Sequence, residues 1–275
     1  MKPCDICLTE ECGGKKSCNC ETCKHSKDCY KSLSPTIRIT TKCTQKCSHC
    51  CFECSPDKND FMSLETAKQI SDFLYNNEIK QCSIMGGEFF CHPNWKDIFD
   101  LILPKVNYCR IVTNGDWASS TDTVEFLTKY KNKINVSISE DKWHQNNFTK
   151  EAKEQCEKYE INWNIPTSEM ESDGVIVPVG NSKWESATLY GMFATYCSNP
   201  KRQYSFLIDE NGVIYKCGFG VWDYADVKDY IDGGFAERFK EFNKVFYNTF
   251  IPNCLRCSRV YLRDYCRSDI GGLNL

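Results

Sequence analysis

Between residues 35 and about 185, short apolar stretches alternate with amphipathic ones, and this rhythm limits the available folds more than any other feature. "TIRITT" (36–41) reads as a strand, and "SLETAKQISDFLYNNE" (63–78) as a helix with Ser63 as its N-cap and apolar residues at helical spacing. Strand "QCSIMGG", helix "NWKDIFDLILPKV", strand "CRIVTNG", helix "DTVEFLTKYKNK" and strand "INVSIS" follow. Helix "TKEAKEQCEKYE" and strands "INWNIP" and "GVIVPVG" complete the series. Such a succession predicts parallel βα units in an open or closed barrel. Polar and glycine residues gather at the strand ends, where βα architectures build their active sites: Gly86, Gly87 and Glu88; Thr113, Asn114 and Gly115; Ser139, Asp141 and His144.

Cysteine is the compositional anomaly, 21 of 275 residues. A secreted disulfide scaffold would be short and would carry a secretion signal, whereas "MKPCDICLTEEC" has no apolar core. The thiols fall instead in C-x₂-C and C-x₃-C groups, which in a reducing compartment points to metal or iron–sulfur ligation. Net charge is −3, so no basic field recruits nucleic acid or anionic membrane. No apolar run is long enough to span a bilayer. The expected location is the cytoplasm.

Three regions are predicted. Residues 1–34 hold cysteines 4, 7, 12, 18, 20, 23 and 29 with almost nothing apolar, so metal binding would have to fold them. Cys4, Cys7, Cys20 and Cys23 have near zinc-ribbon spacing, and an additional iron–sulfur cluster is an equal alternative. Residues 35–189 are the barrel. Residues 190–275 form a smaller module, in which "YSFLIDENGVIYKC" reads as a β-hairpin turned at Asn211-Gly212.

Cys43, Cys47 and Cys50 stand in the loop after the first strand at C-x₃-C-x₂-C spacing. Three thiolates can hold three irons of a 4Fe–4S cluster and leave the fourth open. This motif resembles the signature of the radical S-adenosylmethionine (SAM) superfamily. The resemblance implies a partial (β/α)6 TIM-like barrel in which SAM chelates the open iron. Reductive cleavage would give methionine and a 5′-deoxyadenosyl radical that abstracts a substrate hydrogen.

Other residues carry the likeness further. His49 stands where the family usually has an aromatic residue near adenine. Gly86-Gly87-Glu88 resembles the GGE motif, whose glycines let the backbone approach SAM and whose glutamate accepts from its ammonium group. Asn114 lies in "TNG", a frequent feature after the third strand. Ser137, Ser139 and Asp141, in "SISED", stand where the family places hydroxyl and carboxylate groups near ribose or substrate. Val179 lies in "VIVPVG", which resembles the late segment whose backbone contacts adenine. Taken alone, Asn114-Gly115 would be a turn, and Asp141 and His144 a surface pair. Cys51 and Cys54 allow another register, Cys47/Cys50/Cys54, and are otherwise packing thiols or ligands for the N-terminal cysteines.

Cys197, Gly212, Cys217, Cys254, Cys257 and Cys266 resemble a twitch domain, a shortened SPASM domain. By that likeness Cys197, Cys217, Cys254 and Cys257 ligate an auxiliary 4Fe–4S cluster, with structural zinc as the alternative. Cys266 would replace a ligand, be inert, or donate a hydrogen atom. The implied partners are a flavodoxin- or ferredoxin-type electron donor and a peptide or small-molecule substrate. Peptide maturation by cross-link, thioether formation or epimerisation is the first expectation, and sugar-type dehydrogenation the alternative. No segment is left for the usual leader-binding domain, which would then be a separate protein. A non-enzymatic zinc-binding module is the reading from another class.

Overall fold

The computed structural model describes residues 33–48, 50–140, 143–144, 148–165, 205–215 and 223–239. Five predicted strands of the barrel form: β1 (Ser34–Arg38), β2 (Gln81–Met85), β3 (Tyr108–Thr113), β4 (Ile134–Ile138) and a two-residue β5 (Trp163–Asn164). The predicted helices α1 (Leu64–Asn76), α2 (Trp95–Ile102), α3 (Thr121–Lys129) and α4 (Phe148–Lys158) alternate with them. "GVIVPVG" lies outside the described residues.

Three of the helices form for reasons local to their sequence. Ser63 caps α1 by accepting from the Thr66 amide at 3.0 Å, and Ala67, Ile70, Phe73 and Leu74 make its buried stripe. In α2 the buried residues Trp95, Ile98, Phe99 and Ile102 repeat at helical spacing, and a short 3₁₀ turn containing Pro104 ends the run. Ser120 caps α3 through the Thr123 amide.

The strands build one sheet in the order β5-β4-β3-β2-β1-β6-β7-β8. Strands β1 to β5 pair in parallel with their chain neighbours, for example Ile37 with Ile84 and Ile111 with Val136. All five residues of β4 are buried, as expected of a parallel strand covered on both faces.

The predicted hairpin is present as β6 (Ser205–Ile208) and β7 (Val213–Tyr215), antiparallel, with Gly212 at φ +85° in its turn. β6 also runs parallel to β1, pairing Thr36 with Leu207, so the hairpin extends the same sheet. Its buried "FLI" run suits a strand with neighbours on both edges. β8 (Asp223–Asp226) closes the far edge. Phe206 joins sheet to helices, with Phe73 of α1 at 6.4 Å and Phe235 at 5.0 Å between ring centroids. No helix among the described residues is long and apolar enough to cross a membrane.

Candidate functional site

Beyond β1 the chain leaves and returns along one track, and this defines the site. Met62 donates to the Ile39 carbonyl at 2.8 Å, Thr41 to that of Asp60 at 3.2 Å, and Cys43 to that of Ser55 at 3.1 Å. Residues 43–54 are therefore a loop pinned at its base, at the carboxyl end of the sheet. The glycine pair after β2 grips it from the side. Gly87 donates to Thr40 O at 2.8 Å and Glu88 to Lys42 O at 2.9 Å. A Cβ on Gly87 would stand 2.4 Å from Lys42 O and 2.8 Å from Cys43 Cβ. The absent side chain is what lets the two backbones touch.

The loop, the glycines and the ends of β3 and β4 enclose a cavity of about 190 Å³. Its walls include Cys43, Cys47 and Cys50, with Gly86, Gly87, Asn114, Ser139 and His144. Cys51 and Cys54 open onto the same space, as do Gln45, Phe52, Met85, Val112 and Thr113. Gln45 ties two thiols together: its amide donates to Cys43 Sγ and its Oε1 accepts from Cys47 Sγ, each at 3.4 Å. Nothing in the spacing marks Gln45, Phe52 or Met85 in advance.

The thiols differ electrically. Burial pushes Cys43 up to about 12. Cys50 is lowered to about 6, first by the hydrogen bond from the Cys54 thiol, then by the Cys54, Phe52 and Glu53 backbone amides. Glu53 takes a left-handed φ of +57°, turning the chain so that these amides face one sulfur. Cys54 is raised correspondingly, because its proton is held between the two sulfurs. Cys54 is thus the hydrogen-bonding partner of Cys50 and more than a packing thiol. Among the described residues no three His, Cys, Asp or Glu groups close on a single metal ion. Thiols ringing a space, with glycine opening its floor, fit a multi-iron cluster better than a lone zinc.

Glu88 is fully buried below this cavity. Its carboxylate accepts from Thr113 Oγ1 and from the Asn114 amide, both at 2.8 Å, joining the end of β2 to the end of β3. Burial, then the neighbouring Asp116 charge, pushes its pKa up to about 8. Asn114 donates to Thr44 Oγ1 at 3.1 Å, and Gly115 turns at φ +92°, where a Cβ would stand 3.2 Å from Ala152 Cβ. The "TNG" run therefore braces the cysteine loop from the β3 side.

The radical SAM superfamily matches residues 37–144, the stretch that supplies every wall residue just named. Residues 37–144 form a radical SAM domain. The antilisterial bacteriocin subtilosin biosynthesis protein AlbA of Bacillus subtilis (strain 168) is 35% identical over 129 residues. That stretch is 47% of this chain and 29% of AlbA, so the match spans less than a third of that relative. The fold is similar to that of Streptococcus suis SuiB bound to S-adenosylmethionine, at TM-score 0.52 and 14% identity over 82% of this chain and 68% of that one. The anSMEcpe structure with bound AdoMet matches at TM-score 0.52 and 15% identity, over 77% of this chain and 83% of that one. BtrN in complex with AdoMet and 2-DOIA matches at 0.52 and 14%, over 82% and 91%. At these identities the likeness is one of fold.

Within the radical SAM domain the structure gathers Cys43, Cys47, Cys50, Gly86, Gly87, Asn114, Ser139 and His144 around one space. Ser137 is buried in β4 away from the wall, and Glu88 sits behind it. His49, Asp141 and Val179 lie outside the described residues. So do Cys4, Cys7, Cys20 and Cys23, and Cys197, Cys217, Cys254, Cys257 and Cys266.

Proposed function

We propose that this chain is a radical SAM enzyme that modifies a ribosomally synthesised peptide. The observation that carries the reading is the pinned loop holding Cys43, Cys47 and Cys50 on one cavity at the carboxyl ends of parallel strands. Cys43, Cys47 and Cys50 would hold a 4Fe–4S cluster there, which together with SAM would supply the chemistry for hydrogen abstraction from a substrate. The chain's own part is to hold and screen these groups. The Cys50 turn presents backbone amides to a thiolate. Gly86 and Gly87 keep the floor open, and Asn114, Ser139 and His144 supply polar contacts on the wall.

Support for a peptide substrate comes from AlbA, a bacteriocin biosynthesis protein, and from SuiB, solved with the precursor peptide SuiA on the same fold. The fold shared with BtrN, solved with 2-DOIA, keeps small-molecule dehydrogenation as the competing reading. The auxiliary cluster on Cys197, Cys217, Cys254 and Cys257, the N-terminal metal centre and a cytoplasmic location belong to the proposal. A low-potential flavodoxin- or ferredoxin-type donor and a separate leader-binding protein complete it.

Replacing Cys43, Cys47 and Cys50 together by Ala tests the core of it. The variant should lose one 4Fe–4S cluster and all 5′-deoxyadenosine formation while other clusters remain. Surviving SAM cleavage would refute the assignment, as would native protein containing zinc without acid-labile sulfide. Deuterium transfer from a labelled precursor peptide into 5′-deoxyadenosine supports the peptide reading. Transfer from a labelled aminocyclitol alone would replace it.

A further inference from the structure

We propose that Arg38, paired with Glu210 of the hairpin turn, is a positioning residue that holds the outer rim of the cysteine loop and raises the reduction potential of the cluster bound there. The inference rests on the radical SAM reading above.

Arg38 is the last residue of β1, and its Nε donates to Glu210 Oε2 at 2.8 Å. The two side chains are 12% and 9% exposed, so the pair is largely out of water. The guanidinium carbon also lies 4.9 Å from the centre of the Phe52 ring, and Phe52 is part of the cavity wall. Two residues on from Phe52, the Cys54 amide donates to Cys50 Sγ at 3.4 Å. One cation therefore lies between the hairpin turn on one side and the Phe52 ring of the cysteine-loop rim on the other.

Two carboxylates face the guanidinium, those of Glu210 and Asp209. Asp209 is already engaged: it accepts from the Asn211 and Val213 amides at 2.9 Å and from the Tyr215 hydroxyl at 3.0 Å. Glu210 is thus the counter-charge and Asp209 the brace of the turn. Adding one electron to a buried cluster is favoured by a fixed positive charge and opposed by a negative one, more strongly where water is excluded. Removing Arg38 strips the cation and leaves two carboxylates behind the rim. Removing the Glu210 charge alone unmasks the cation. The two changes should move the potential in opposite directions. A purely structural role would move it the same way in both, through a loosened loop.

The experiment uses the full chain with reconstituted clusters and a mediated titration with a low-potential one-electron reductant. The reduced SAM-responsive cluster is followed by electron paramagnetic resonance. Arg38→Met should shift its midpoint to more negative values, and Glu210→Gln to less negative ones. Arg38→Lys should restore most of the native value. A double Arg38→Met, Glu210→Gln variant removes the buried unpaired charge and keeps the question answerable if Arg38→Met folds poorly; its midpoint should return towards native. Full cluster content with unmoved midpoints, or with both single variants shifted in the same direction, overturns the proposal. Native protein without a SAM-responsive cluster would overturn the radical SAM reading itself.

Discussion

Changing Gly87 to Ala should disable the site through the backbone alone. The new methyl would sit 2.4 Å from Lys42 O, 2.7 Å from Lys42 C and 2.8 Å from Cys43 Cβ, where ordinary contact begins at 3.4 Å. None of these atoms is the end of a flexible side chain. The loop must retreat, stretching Gly87 to Thr40 O and Glu88 to Lys42 O, now 2.8 and 2.9 Å. Overpacking of this kind costs about 1–3 kcal/mol, and weakening two backbone hydrogen bonds adds roughly 1 kcal/mol. A total of about 2–4 kcal/mol corresponds to a melting temperature lowered by roughly 5–15 °C. Cys43 moves with Lys42, so iron and sulfide per chain should fall together with stability. Gly86→Ala is the internal comparison, because its methyl meets mainly the Thr40 Cγ2 methyl at 2.8 Å. It should cost less and retain more iron. Thermal denaturation and iron analysis of the two variants decide the matter. A Gly87→Ala protein that melts within a degree or two of native and binds full iron would refute the argument that backbone contact is what this glycine secures.

Other outcomes follow from single side chains. His92 is held neutral by burial, with Nε2 donating to Met62 O at 2.9 Å and Nδ1 accepting from the Asn94 amide at 3.0 Å. Its folded pKa lies below the ordinary 6.5, so the unfolded chain takes up a proton first. Stability should be full above that pH and decline as pH falls through it. Urea midpoints at pH 7.5 and 5.5 should show a fall that His92→Gln reduces. Glu88 has the opposite sense in protein without cluster or SAM. Its folded pKa of about 8 exceeds the ordinary 4.5, so stability should decline as pH rises between those values, and Glu88→Gln should flatten that decline. Phe99 is fully buried and meets the rings of Phe89, Phe126 and Tyr130. Phe99→Ala should cost about 3–5 kcal/mol by chemical denaturation.

The βα rhythm was readable because strands and helices announce themselves by period, and Ser63 and the Asn211-Gly212 turn by local chemistry. The shared cavity of Cys43, Cys47 and Cys50 was readable from their close spacing, and Gly86-Gly87 because close approach of two backbones admits few residue types. What periodicity cannot carry is partnership. The resemblance of Gly86-Gly87-Glu88 implies a role for Glu88 toward an ammonium group, and nothing in the sequence adds that its carboxylate also accepts from Thr113 and Asn114, a link set by how β2 lies beside β3. "SFLI" reads as one arm of a separate hairpin, yet it also pairs with β1, which depends on register between segments far apart in sequence. Cys54 reads as a spare thiol, and only the turn at Glu53 brings it to Cys50.

The pairing of β1 with β6 carries a consequence for biosynthesis. Thr36 bonds alongside Ser83 on one side and Leu207 on the other. While the ribosome adds the residues between those two partners, β1 presents a bare edge, for roughly 6–25 s at about 5–20 residues per second. The strand that feeds the cysteine loop, and Arg38 at its end, gain their second neighbour only when the hairpin emerges. The sheet beneath the cysteine loop is therefore completed late in translation, and a nascent chain stopped before residue 205 would offer that edge to any passing strand.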